Sequence, residues 1–169
     1  MAQTKQSEQS KQTEQSKQAK QAKQSKQTKQ SKTLTYTDAE IKRLEIMERR
    51  YRKTARTQFE QRVAYYHKIT GGNYTSITIR DQKSRWGSCS SSGTLSFNYR
   101  LIFAPAIVLD YVVVHELCHL THMNHSKDFW NMVATVMPDY KIYKQWLRDH
   151  GHELTLEAHL TRLGIPLTI

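Results

Sequence analysis

The chain has 169 residues, room for one domain, with 37% hydrophobic residues and a formal net charge of +11; so low an apolar fraction implies that one segment is almost wholly polar. Residues 1–33 hold eight Lys against two Glu and carry +6 of that charge, so the basicity belongs mostly to a tail that can attract nucleic acid, anionic lipid or acidic protein without specifying any of them. No secretory leader is visible, the apolar runs 106–109 and 111–114 fall far short of the roughly 20 residues that span a bilayer, and Cys89 and Cys118 are too few for a disulfide framework, so neither export nor anchoring is expected and a reducing, cytoplasmic setting is the expectation.

From Ala2 to about Ser31 the residues repeat in triplets with Gln in the middle. A three-residue period winds around a helix without making an apolar stripe, so residues 1–33 are expected to be a disordered or frayed tail. A domain is expected over residues 34–151, opening with the capping box Thr37-Asp-Ala-Glu40 ahead of a helical pattern at Ile41, Leu44, Tyr51, Ala55, Phe59, Val63 and Tyr66. Gly71-Gly72 ends that helix. Alternation predicts strands at Ser76–Arg80 and Gly93–Phe97, paired as an antiparallel hairpin around the loop Arg85-Trp-Gly-Ser-Cys89. Pro105 suits the first turn of a second helix, whose apolar run Ala106–Val114 leads into the histidines and marks it as central and buried. Asn124 is read as its left-handed terminator, Ser126 as the cap of a third helix to about Met137, and Asp139 as the cap of a fourth ending at Gly151. Residues 152–169 are set apart as a C-terminal extension.

The chemistry lies in His115-Glu116-Leu117-Cys118-His119. On a helix, positions four apart are about 40° round and roughly 6 Å along from one another, so both imidazoles can reach one tetrahedral Zn²⁺. Glu116 projects beside them, placed to take a proton from a metal-activated water rather than to ligate the ion. Two imidazoles and a carboxylate against an apolar core are costly unless a metal or hydrogen bonds compensate them.

A catalytic zinc needs a third protein ligand, for which His122 and His125 compete. His122 shares the face of His115, but about 10 Å of axial separation makes three ligands from one straight helix difficult. His125 lies beyond the helix end, where a turn can return it to the ion. It is therefore the expected ligand, with His122 left beside the site or facing substrate. Cys118 reads as a small buried thiol. The similar run His152-Glu153-Leu154-Thr155-Leu156 is set aside because it offers no imidazole at position 156.

Several motifs agree in order: Arg85-Trp-Gly-Ser-Cys-Ser90, Asn98-Tyr-Arg-Leu101, Pro105, Tyr111-Val-Val-Val-His-Glu-Leu-Cys-His-Leu120, and Asn124-His-Ser126 with Phe129-Trp130. Over about residues 40–151 the chain resembles the YgjP-like metallopeptidases, relatives of the SprT-like zinc proteases. The resemblance implies a compact zincin-like α+β domain with a small antiparallel sheet, in which His115, His119 and His125 match the metal ligands and Glu116 the catalytic glutamate. Longer members carry a β-rich region in the position that the Lys/Gln repeats occupy here. The resemblance also marks Arg85, Trp86 and Asn98, read either as structural or as bordering the cleft, with Arg85 binding a carboxylate, phosphate or developing oxyanion.

The expected function is zinc-dependent hydrolysis of peptide bonds, on a protein or peptide substrate. Two alternatives come from the resemblance: a nucleotide pyrophosphatase acting on UTP, since similar proteins have been so described, and a SprT-like protease acting on DNA-bound proteins, with the basic repeats as tether. No Gly-rich phosphate cradle accompanies the first, where Arg85 and Arg100 are the nearby cations. Oligomeric state is not legible.

Overall fold

The computed structural model describes residues 36–166; the tail expected at 1–33 lies outside them. Helix α1, Asp38–Thr70, starts where the sequence places it. The Thr37 hydroxyl accepts from the Glu40 amide at 3.3 Å, and the Thr37 amide donates to Glu40 Oε2 at 2.7 Å. Those two bonds satisfy donors that a helix start otherwise leaves open. Ala55, Phe59 and Val63, four apart, form the buried stripe. Gly71 and Gly72 then turn the chain out at φ +69° and +84°, a conformation that glycine adopts without a side-chain clash.

Strands β1 (Ser76–Arg80), β2 (Gly87–Cys89) and β3 (Thr94–Asn98) make a sheet of order β1-β3-β2. Here the predicted hairpin is corrected. Ser76–Arg80 pairs with Thr94–Asn98 in parallel, from Ser76 opposite Thr94 to Arg80 opposite Asn98. The antiparallel partner of β3 is β2, with Gly87 opposite Phe97 and Cys89 opposite Leu95, inside the stretch expected to be loop. Gly-Ser-Cys has neither alternation nor β-branching to signal a strand. What makes it one is the tight turn Ser90–Gly93, closed by the Gly93 amide on the Ser90 carbonyl at 2.9 Å and by Gly93 at φ +79°. Because the chain reverses there, the residues between β1 and β2 must carry it back across, and β1 ends up parallel to β3.

A 3-10 turn, Tyr99–Phe103, leads through Pro105 to helix α2, Ala106–Cys118. All of Val108–Val114 is buried, as expected of a helix apolar on every side. Its buried Asp110 is met from α1 by Arg62 at 3.2 Å and by the Tyr66 hydroxyl at 3.1 Å, and Phe59 of α1 stacks on Phe97 of β3 at 4.5 Å. The core thus fills the space between α1, the sheet and α2. Asn124 is not a left-handed terminator: among the described residues only glycines have positive φ. Helix α2 ends earlier, where Leu120 and Thr121 donate back to Leu117 and Cys118 at 3.0 and 3.2 Å. This tightening satisfies the last carbonyls without a left-handed residue.

Helix α3, Lys127–Val136, is capped by the Ser126 hydroxyl, which accepts from the Phe129 amide at 3.4 Å. Helix α4, Tyr140–His150, begins after Asp139, whose side chain makes no capping bond. Beyond it, helix α5, Leu156–Arg162, buries Leu156 and Leu160, and its His159 ring stacks on Phe103 at 4.4 Å. The class is α+β, as expected. Among the described residues no helix is long and apolar enough to cross a membrane.

Candidate metal centre and catalytic cleft

His115 and Glu116 sit in the last turn of α2, His119 caps it in right-handed helical geometry, and His125 follows the turn that leads to α3. His115 Nε2 lies 3.2 Å from His119 Nε2 and 3.0 Å from His125 Nε2. These three imidazoles could hold one metal ion. His122 does not join them; its backbone carbonyl instead accepts from His119 Nδ1 at 2.9 Å. A carbonyl can only accept, so the His119 proton is on Nδ1 and its Nε2 lone pair faces the other rings.

Burial, then the charges of His119, His125 and Lys144, push the His115 pKa down to about 3. His125 is lowered by burial and then by His119 and Lys144. Both rings are neutral near physiological pH and offer lone pairs. His115 Nδ1 is buried without a hydrogen-bond partner among the described residues, so no tautomer of the bare ring satisfies both of its nitrogens. A tetrahedral zinc with bonds of roughly 2.0–2.1 Å requires N···N separations of about 3.3 Å. The two separations from His115, 3.0 and 3.2 Å, are within a few tenths of an ångström of that, and one cation on the three Nε2 atoms would use every lone pair turned inward; the residues fit the ion.

Aromatic rings hold the imidazoles in place. Phe129 stacks on His119 at 4.4 Å and meets His115 and His125 edge-on, both at 4.9 Å. Trp130 stacks on His125 at 5.5 Å and on Tyr140 at 5.0 Å. The sequence marks Phe129-Trp130 only through the family resemblance, with no role attached.

Glu116 is 4% exposed. Burial pushes its pKa up to about 8, against an opposing contribution from Arg85. Strand β2 passes directly over it: a Cβ on Gly87 would lie 2.5 Å from Glu116 Oε1 and 2.7 Å from its Cγ. Glycine is therefore required here by close approach rather than by backbone angle. A cavity of about 350 Å³ opens beside this carboxylate, with Trp86 and Gly87 on one wall, Tyr111, His115 and Glu116 on α2, and Lys144 and Arg148 on α4. Spacing along α2 could have pointed to Tyr111, one turn before His115. Nothing local in the sequence connects Lys144 or Arg148 with the motif, because α4 comes to the cavity through tertiary packing alone.

The marked loop residues take different places. Arg85 is exposed and acts on Glu116 through its charge. Trp86 lines the cavity and lies against the end of α4, where a Cβ on Gly151 would meet its Cζ2 at 2.8 Å. Asn98 is buried and spent on backbone: its amide donates to the carbonyls of Gln82 and Arg85 at 2.7 and 3.4 Å, and its oxygen accepts from the Arg100 amide at 3.1 Å. It thereby fixes the loop that carries Arg85 and Trp86. Both cysteines are free, and burial pushes the Cys118 thiol up to about 12.

No curated protein matches the chain. Among solved structures it is similar to the metallopeptidase zymogen abylysin of Pyrococcus abyssi, at 23% identity and a TM-score of 0.49 over 54% of this chain and 93% of that one. The model of the YgjP-like metallopeptidase domain matches residues 4–150. Since that match spans most of the sequence and takes in every element lining the cavity, the chain belongs to the YgjP-like metallopeptidase family.

Proposed function

We propose that this protein is a zinc-dependent endopeptidase in which His115, His119 and His125 hold the ion and Glu116 is the general base. The observation that carries the reading is the convergence of three Nε2 atoms, His115 lying 3.0 and 3.2 Å from its two neighbours, beside a buried carboxyl. When bound, zinc supplies Lewis acidity, polarising a carbonyl and making a nearby water acidic enough to lose its proton near neutral pH.

Around that ion the chain's own residues do the rest. Glu116 takes the proton from the attacking water and delivers it to the leaving amine. Its burial keeps the carboxyl basic, and a cation nearby returns it to the ionised form that can accept. His122, through its carbonyl, holds His119 in the ligating tautomer. Strand β2 is an edge of the sheet and its Gly87 lines the cavity, so an extended substrate can pair with it from within a longer chain. Arg85 adds positive charge on the Glu116 side, where an oxyanion develops. Two free thiols are in keeping with a reducing, cytoplasmic setting.

Glu116→Gln is expected to keep one zinc per chain and to lose about 10²–10⁴-fold in kcat, whereas His125→Ala should lose the zinc. Metal analysis paired with hydrolysis of an unfolded protein decides the matter. A Glu116→Gln variant with undiminished turnover, or a wild-type chain that takes up no zinc, overturns the reading.

A further inference from the structure

Resting on the peptidase reading above, we propose that Lys144 and Arg148 form an anion subsite in the catalytic cavity that selects substrates with an Asp or Glu side chain beside the scissile bond.

The two cations lie one turn apart on α4 and line the same cavity of about 350 Å³ as His115 and Glu116. Neither has an ion-pair partner among the described residues. The nearby acids are engaged elsewhere: Asp149 accepts from Gln145 at 2.8 and 3.0 Å, and Glu153 meets His150 at 3.3 Å. Among the described residues, Glu116 is the one carboxylate on the cavity wall. Lys144 is also tied to the metal shell, since its ammonium sits 4.4 Å from the centroid of the Trp130 ring that stacks on His125.

A surface helix ordinarily alternates charge at this spacing, because like charges four apart destabilise it. Here the repulsion is left standing, next to a site built for another cation. Complementing the helix dipole explains Arg148, in the last turn of α4, but not Lys144, which lies a full turn earlier. An anion between the two side chains removes the repulsion and completes two charge-assisted hydrogen bonds. The chemistry favours a single carboxylate over a polyphosphate. Arg148 stands at the carbonyl end of α4, whose partial negative charge repels a multiply charged group.

The test uses the full chain loaded with zinc. Digestion of a random peptide mixture, read by mass spectrometry, should give cuts enriched for Asp or Glu at one position flanking the bond. In Lys144→Glu/Arg148→Glu, the ratio of kcat/KM for matched Glu and Lys peptides should fall at least tenfold, about what one hydrogen bond to a charged group contributes. The milder Lys144→Gln/Arg148→Gln, with circular dichroism matching wild type, guards against misfolding. A second arm measures peptide binding to zinc-loaded Glu116→Gln by calorimetry. Acid-selective binding that the double reversal abolishes, without cleavage by wild type, keeps the subsite and discards the peptidase. Cuts without acid preference, a preference that survives both double variants, or tighter binding of UTP than of any acidic peptide overturns the subsite.

Discussion

At the scale of single residues, Glu116 is held in two opposed ways. Its carboxyl is buried, and its pKa in the bare protein is pushed from 4.5 up to about 8, so ionising it in the folded state costs free energy that the unfolded chain does not pay. Because the folded value lies above the unfolded one, this group's contribution to stability is fully present below pH 4.5 and is lost as pH rises through 8. In zinc-free protein, Glu116→Gln should therefore be more stable than wild type at pH 9, by an amount on the order of a few kcal/mol, and melt at a higher temperature, with the gap closing by pH 5. Zinc should reverse the order at pH 9, since a cation favours the carboxylate. Thermal melts of the two proteins with chelator and with zinc check this; melts that differ equally at pH 5 and pH 9 remove it. The motif itself is legible in the sequence, because its two histidines and glutamate are contiguous on one helix. His125 is legible only as a turn's worth of reach beyond that helix. Lys144 and Arg148 are not legible at all: a face of a distant helix carries no mark of what it will pack against.

At the scale of elements, the β2–α2 contact sets where the carboxylate points. Gly87 offers no side chain, and Glu116 fills the space that a methyl would take, with Cγ at 2.7 Å and Cδ at 2.8 Å from the position of that methyl. Gly87→Ala does not strain the backbone, so the strand should form and the carboxylate should move. Zinc binding depends on imidazoles on the other side of the motif and should persist, while kcat falls by about tenfold or more, as misplacements near 1 Å do. Metal content and turnover of that variant, measured together, separate displacement from collapse; unaltered turnover would show that the carboxylate tolerates the methyl. The same strand exposes why the sequence misleads about the sheet. Regular alternation at Ser76–Arg80 and Thr94–Asn98 suggests that those two segments pair as a hairpin, yet a strand with no β-forming residues lies between them. Close approach to Glu116, not propensity, explains a glycine there. Helices α1 and α3, by contrast, announce their starts in side chains that bond to the first turn, and both starts are legible from those side chains.

At the scale of the molecule, α2 is the spine on which α1, the sheet, α3 and α4 assemble, and the candidate metal centre lies at its C-terminal end. The chain after α4 packs onto this arrangement. Leu154, Leu156 and Leu160 are 2%, 6% and 1% exposed, and His159 stacks on Phe103 beside Tyr51, which joins α5 to α1 and to the turn before α2. Short segments of mixed polarity give little periodicity to read, which is why 152–169 looks like an extension in the sequence. Burying a leucine fully is worth about 1.5–3 kcal/mol, and a domain of this size has about 5–15 kcal/mol in total. A chain ending at Glu153 keeps the proposed ligands His115, His119 and His125, the proposed base Glu116 and the family-matched residues 4–150, yet forfeits most of that margin. It should be recovered in low soluble yield, melt at least about 10 °C below the full chain, or fail to show a cooperative transition. Zinc in excess should raise the melting temperature of both forms, since the ion binds only the assembled triad. The truncated form should remain the less stable of the two at every zinc concentration, because the ion cannot replace the contacts that α5 makes with Tyr51 and Phe103. Equal melting temperatures for the two chains under chelation would mean that α5 merely rests on the core.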